Sequence, residues 1–387
     1  MNAKLCGALI RCKRLEKGWR QQDLCQGLCA VSYLSKIEQG KAQADETLLI
    51  RLLTKLGVSW SEDPQQLSRD WVFIQSLYDA FFSMQPKSVE ALFSQYQSEL
   101  ERLSNGPYFI DISLLKLCVK KNASPDNALN ALSDLVSAMD ERQYGLWLYL
   151  NGQFDGLLCL CPTAFYLTCA GIADYRSGLY GRAIERLLHG LDRAGQEGFV
   201  HVMLNAHRYL GNTYRDLAQF EQMFVHYHAT QRIAQSLNAI PLLQQTRYSI
   251  AAVQLELGQF QEAYDYFGSV QSPDALCLHK LAICCEKLGK TEEAFSALAS
   301  AQTAPAEIPD SAFINQMCAL VRFRLLHSDY LKHAEYGDML LSCYARIRTE
   351  LPEGFARFHK PWVIEWYRAN GQYKQALELC AVPSKSE

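Results

Sequence analysis

From residue 178 onward the chain repeats one local pattern six times. A small residue is followed two places later by an aromatic, usually, and then by an Ala or Met a few places on. The pattern begins at Gly178, Ala218, Gly258, Gly289, Ser328 and Gly371. Tyr180, Phe220, Phe260, Thr291, Tyr330 and Tyr373 take the second place, and Ala183, Met223, Ala263, Ala294, Ala334 and Ala376 follow. The first members are 40, 40, 31, 39 and 43 residues apart. A small residue closes the turn between antiparallel helices, an aromatic plugs the hairpin, and Ala permits close helix approach. Repetition on that scale predicts a solenoid of helical pairs, each burying a face on its neighbour. Residues 61–387 show no strand alternation and no Gly-rich phosphate loop. The expected fold class is all-α.

The first sixty residues differ from this body in charge. They carry ten Lys and Arg against five Asp and Glu, giving +5, while the whole chain is −3 and the remainder therefore −8. Within 5–58, Leu5, Leu9, Ile10 and Leu15 form an apolar stripe ended by Lys17-Gly18, and a second short helix is expected near Gln21–Leu28. Cys29-Ala30-Val31 makes a tight turn, and Ser32 stands where a helix N-cap belongs. Gly40 ends that third helix, and Leu48, Leu49, Leu52, Leu53 and Leu56 mark the next. Two short helices joined by a three- or four-residue turn inside a basic helical unit suit DNA.

Ile10, Arg11, Arg14, Gln22, Leu24 and the run Ser32-Tyr33-Leu34-Ser35-Lys36-Ile37-Glu38, with Gly40-Lys41, resemble the Xre/Cro-type (lambda-repressor-like) helix-turn-helix. Many such domains carry Gly at the turn where this chain has Cys29. That departure is similar to the subgroup containing PlcR and Rgg. The docking geometry of the resemblance makes Ser32, Tyr33 and Lys36 candidates for reading base edges in the major groove. Ser35 reaches base or phosphate beside them. Gln21 and Gln22 open the preceding helix and would hold a phosphate, and Arg14 and Lys41 would clamp the backbone. Leu24, Leu34 and Ile37 read as core, and Glu38 as an intradomain hydrogen-bond partner.

The body resembles tetratricopeptide repeats, through Leu210-Gly211, Tyr214, Ala218 and Phe220, and through Ala170-Gly171, Tyr175, Gly178, Tyr180 and Ala183. The expected organisation is a DNA-binding head over 1–58, a linker over 59–70 containing Pro64, and a repeat domain over 71–387. Gly152-Gln-Phe154 is a further expected turn and 108–135 another, and Gln302–Asp310, with Pro305 and Pro309, an internal loop.

Solenoids curve with their first helices inside, which creates an extended concave surface. Counting back from the turn residues places Asn205, Arg208, Asn212, Arg215 and Asp216 there, then Gln245 and Tyr248, His279, and Asn315, Cys318 and Arg322. Thr168 and Tyr175 fall at equivalent places. Asn offers donor and acceptor to one peptide unit, and Arg forks to a carboxylate. Such a lining suits peptide backbone and a terminal carboxylate, and the resemblance to the subgroup of PlcR and Rgg implies a short signalling peptide, held here by Asn205, Arg208, Asn212, Arg215, Gln245, Tyr248, His279, Asn315 and Arg322. Peptide-sensing regulators of this type hold ligand backbone with asparagines, which the resemblance carries to Asn205 and Asn315.

The chain as a whole resembles the PlcR/Rgg/NprR (RRNPP) group of Gram-positive quorum-sensing transcription regulators. The resemblance implies a homodimer on a palindromic double-stranded DNA operator, switched by the peptide. A different class of function is a tetratricopeptide interaction switch that binds a response regulator or another protein partner. No paired carboxylates, nucleophile elbow or His-Glu-x-x-His motif points to catalysis or a cofactor, and His201, His207, His226 and His228 lack zinc-site spacing. No metal is expected. Fourteen Cys without a signal-peptide pattern after Met1–Leu5 point to free thiols in the cytoplasm. The longest uncharged stretch, Gly156–Ala173, contains Pro162 and two Gly and reads as buried helices rather than a membrane span.

Overall fold

A computed structural model of the chain describes residues 3–58, 63–119, 132–133, 135–305, 311–351 and 353–381. The described residues form α-helices and short 3-10 turns, with no strand. Two compact units divide the chain: one contains 1–172 and 185–206, the other 173–184 and 207–387.

The first unit begins with α1 (Ala3–Glu16), α2 (Gln21–Cys25), α3 (Val31–Glu38) and α4 (Glu46–Lys55). Their buried faces supply Leu9, Ile10, Leu24, Leu34, Ile37, Leu49, Leu52 and Leu53. This core continues without a break into Ile74, Leu77, Ile110 and Leu114 of the helices Pro64–Phe82 and Phe109–Val119. The apolar stripe predicted for α1 stops short of Leu15, which is 56% exposed. The second helix ends at Cys25, not Leu28, and the chain turns left-handed at Gly27. Ser32 is not an N-cap: α3 starts at Val31 behind Ala30, so the Ser32 side chain lies within the first turn.

Residues 64–70, expected as linker, open the long helix Pro64–Phe82 instead. Asp63 accepts a hydrogen bond from the Gln65 amide at 3.2 Å, and Pro64 fills the first helical position, where its missing N–H costs nothing. Residues 59–62 of that linker lie outside the described residues, as do 120–131 of the turn expected in 108–135 and 306–310 of the loop expected at Gln302–Asp310.

The repeat pattern of the sequence becomes a repeated helix C-terminus. Gly178, Ala218, Gly258, Gly289 and Gly371 all adopt positive φ, between +55° and +78°, and so does Gly152 ahead of the helix Phe154–Leu160. Behind them Ala183, Met223, Ala263 and Ala294 are fully buried. The turn at Ser328 departs from the pattern. A 3-10 turn over Tyr330–Lys332 delays the next helix to Ala334, which is exposed, and the small buried contact passes to Gly337. A Cβ there would lie 2.1 Å from the Trp366 ring. Gly198 and Asn238 are further left-handed turn residues between helices that the repeat pattern did not single out.

Candidate functional site

The head presents a polar surface built on an internal ion pair. Arg14 of α1 donates from Nε and Nη2 to the two Glu38 carboxylate oxygens at 2.6 and 2.9 Å, and from Nη1 to the Trp19 carbonyl at 2.7 Å. Both side chains are buried. Arg14 is therefore turned inward, and the backbone clamp expected of it is corrected to an internal tie between α1 and α3. Glu38 is the intradomain partner the sequence suggested. Gln21 donates to the same carboxylate from Nε2 at 2.8 Å, which commits its amide to the inside. Lys55 donates to the carbonyls of Asp23, Leu24 and Gln26 at 2.9–3.1 Å, closing the C-terminal end of α2.

With those groups spent internally, Gln22, Ser32, Lys36 and Lys41 remain exposed, and Tyr33 and Ser35 are half-buried. Tyr33 donates its hydroxyl to the Gln43 carbonyl at 3.1 Å, which ties α3 to the turn beyond it. Gly7 sets how closely α1 and α3 pack: a Cβ on it would fall 2.0 Å from the Ile37 carbonyl oxygen.

The second unit holds two adjoining cavities. One, of about 310 Å³, is lined by Arg208, Asn212, Arg215 and Gln245 together with Tyr209 and Tyr227. Asn212 accepts from the Tyr227 hydroxyl at 2.8 Å, and Arg208 lies 4.6 Å from the centroid of the Tyr209 ring. Arg215 donates to Asp216 from Nε and Nη2 at 3.0 and 2.9 Å, and Tyr175 donates to the other Asp216 oxygen at 3.0 Å. The wall is rich in donors and poor in acceptors, so it suits anionic or carbonyl-bearing ligands.

The other cavity, of about 490 Å³, shares Tyr175, Arg215 and Ser249 with the first and adds Tyr248, His279 and Lys280. Its far side comes from the helix Glu353–Ala369, through Phe355, Arg357, Phe358 and His359. Arg357 reaches back across 101 residues to Glu256 at 2.8 Å. That wall was invisible to repeat counting, which assigns surface positions within each repeat and not from the end of the array. Its signal in the sequence is the aromatic and basic cluster Phe355-x-Arg357-Phe358-His359.

Six of the nine expected ligand contacts thus gather around the cavities: Arg208, Asn212, Arg215 and Gln245 in the smaller, Tyr248 and His279 in the larger, with Arg215 in both. Asn205 lines neither cavity. It belongs to the first unit and donates to the His201 carbonyl at 2.9 Å. Asn315 and Arg322 are exposed and also line neither cavity. His207 and His226 approach Nδ1 to Nδ1 at 2.9 Å, and burial with the neighbouring ring lowers the His207 pKa to about 4. One proton shared between neutral rings accounts for this pair. Among the described residues no group of three His, Cys, Asp or Glu is placed to hold a metal ion, and no helix is long and apolar enough to cross a membrane.

Comparison with known proteins bears first on the head. Residues 10–62 match a helix-turn-helix family. This helix-turn-helix covers α2 and α3 with the inward Arg14–Glu38 tie and the outward Lys36. The whole chain is similar in fold to the apo form of the quorum sensor NprR from B. thuringiensis, with 14% identity and a TM-score of 0.55 over 82% of this chain and all of that one. It is also similar to a Rap protein complexed with Competence and Sporulation Factor, with 15% identity and a TM-score of 0.54 over 81% and 96% of the two chains. A comparison with curated proteins by sequence finds no match. The resemblance to the PlcR/Rgg/NprR group therefore holds in fold: an all-α chain in which a helix-turn-helix DNA-binding domain precedes a helical repeat.

Proposed function

We propose that this chain is a cytoplasmic transcription regulator that binds DNA through its helix-turn-helix and is switched by a short signalling peptide bound in the repeat. In this reading residues 1–58 form the head and 71–387 the ligand-binding and dimerisation domain. The observation that carries it is a donor-rich cavity in the same chain as a helix-turn-helix. Arg208, Asn212, Arg215 and Gln245, which equivalent repeat positions singled out, converge on that cavity. An Arg guanidinium and an Asn amide presented together match carbonyls along an extended peptide and the carboxylate that ends it. Among solved structures similar in fold, one is a quorum sensor and another is a Rap protein complexed with Competence and Sporulation Factor, which supports a signalling ligand.

Ser32, Tyr33, Ser35 and Lys36 read bases in this proposal, and Gln22 and Lys41 hold phosphates. A homodimer places two such helices on half-sites about 34 Å apart, or a multiple of that. The peptide shifts DNA binding only by the difference in its affinity for two arrangements of the protein. A coupling of about 1–3 kcal/mol changes operator affinity about 5- to 150-fold.

The test is capture of host genomic DNA by the purified full chain, with and without a small-peptide extract of spent medium. The expected result is a palindromic motif whose occupancy changes with the extract. Occupancy that ignores the extract removes the peptide switch, and no enrichment in either condition transfers the function to a protein-partner switch.

A further inference from the structure

Two histidines in the larger cavity keep one ring nitrogen free. His279 and His359 are each 1% exposed, and their rings lie 14° from parallel with centroids 6.3 Å apart. Neither Nε2 has a hydrogen-bond partner among the described residues. The other nitrogen of His359 is engaged: it donates from Nδ1 to the Phe355 carbonyl at 2.9 Å. The His359 ring is thereby fixed with the proton on Nδ1 and a lone pair on Nε2. Burial lowers both pKa values, that of His359 to about 4, so the rings stay neutral acceptors near pH 7. What His359 Nε2 lacks is a donor.

Lys280 beside them lacks an anion. Its ammonium lies 5.5, 5.5 and 5.6 Å from the ring centroids of Tyr248, Phe355 and Phe358, a distance at which aromatic faces attract a cation without neutralising it. The other charges on the wall are matched with each other, Arg357 with Glu256 at 2.8 Å and Arg215 with Asp216 at 2.9 Å. Asp274, the next acid toward Lys280, accepts the Cys277 amide at 2.7 Å. Burial pushes the Lys280 pKa down, and Asp274 and Glu256 only oppose that shift. The cavity therefore holds a cation without an anionic partner, an unfilled acceptor at His359 Nε2 and aromatic rings around the cation.

We propose that this cavity binds an apolar carboxylate with an N–H or O–H donor on the carbon next to the carboxyl group. The carboxylate meets Lys280, the donor meets His359 Nε2, and the apolar side chain lies against Tyr248, Phe355 and Phe358. Two sources share this chemistry: the C-terminal residue of a peptide, and a free N-acyl amino acid or α-hydroxy acid. The inference stands on the cavity alone and holds whichever source supplies the ligand.

Calorimetric titration of the full-length protein tests it with four small probes: N-acetyl-phenylalanine, its amide, 3-phenyllactate and 3-phenylpropionate. N-acetyl-phenylalanine and 3-phenyllactate are expected to bind at least tenfold more tightly than the amide, which lacks the charge, and than 3-phenylpropionate, which lacks the donor. Lys280→Gln removes the preference for acid over amide. If that variant fails to fold, the comparison of the four probes on the native protein still decides. Equal affinity for acid and amide, or no binding of either acid, overturns the proposal. Two tetrapeptides ending in Phe, one with a free and one with an amidated C-terminus, separate the sources. Tighter binding of the free-ended tetrapeptide than of N-acetyl-phenylalanine identifies a peptide end, and no gain from the added residues identifies a free acid. Failure of the genomic capture together with success here would remove the transcriptional switch and keep the carboxylate site.

Discussion

Arg14 and Glu38 form a two-pronged ion pair between α1 and α3, with both side chains buried and Gln21 of α2 bonded to the same carboxylate. One carboxylate thus fixes three helices against one another. Removing either member leaves an uncompensated buried charge, which costs about 3–5 kcal/mol. Arg14→Ala is expected to lower the stability of the head by that order and to abolish DNA binding through loss of structure. Urea unfolding followed by circular dichroism checks it. An unchanged unfolding midpoint would return Arg14 to a surface role.

Lys36→Ala should behave in the opposite way. The side chain is exposed on α3, so the unfolding midpoint should not move. Operator affinity should fall by about 1–3 kcal/mol if Lys36 reads a base, with sequence preference relaxed at that position. A uniform loss across sequences, with a shallower salt dependence, would make Lys36 a phosphate contact instead. Fluorescence anisotropy with operator and scrambled duplexes at two salt concentrations separates these outcomes.

Gly7 sits where α1 crosses α3, and a Cβ would meet the Ile37 carbonyl oxygen at 2.0 Å. Backbone cannot yield as a side-chain tip can, so Gly7→Ala must push α1 away from α3. Overpacking of this kind costs about 1–3 kcal/mol. Thermal unfolding should register that loss, and an unaltered melting temperature would show that the crossing accommodates a methyl group.

Helix type, turn positions and the head were legible because each depends on local chemistry. The small residues at Gly178, Gly258, Gly289 and Gly371 mark left-handed helix ends, and the Ser32–Glu38 run marks α3. Side-chain partners were less legible. Arg14 and Lys55 look like surface charges in the sequence, yet their fates depend on Glu38, 24 residues away, and on the carbonyls ending α2. The cavity was half legible. Repeat counting finds Arg208, Asn212 and Gln245, but Phe355, Arg357 and His359 enter from a distant helix, and no local periodicity encodes that return. The turn at Ser328 misled for a related reason, since the 3-10 turn moves the helix start four residues on.

Ala218 holds a backbone conformation, φ +55°, that glycine fills at the corresponding turns of Gly178 and Gly258. The left-handed region costs a residue with a Cβ about 1–2 kcal/mol. Glycine also loses more entropy on folding, which returns roughly 0.5–1 kcal/mol. Ala218→Gly is therefore expected to stabilise the protein by up to about 1 kcal/mol, and Gly178→Ala to destabilise it by a similar amount. Chemical denaturation of the two variants measures both, and a loss of stability in Ala218→Gly would mean that its methyl group makes a contact worth more than the strain.

Stability should also fall in mild acid because of His359. Its folded pKa, about 4, lies below the ordinary imidazole value near 6.5, since burial and the nearby Lys280 and Arg324 charges disfavour the protonated ring. An unfolded chain takes up the proton first. The stabilisation is complete above about pH 6.5, declines as the pH falls toward 4, and levels off below that. The slope expected from one such ring is about 1.4 kcal/mol per pH unit. His279, whose pKa is also lowered by burial, steepens the same limb. Urea unfolding at pH 7, 6 and 5 measures this slope, and His359→Gln should flatten it by the share of one proton. An identical slope in the variant would assign the acid sensitivity to other groups, first among them the His207–His226 pair.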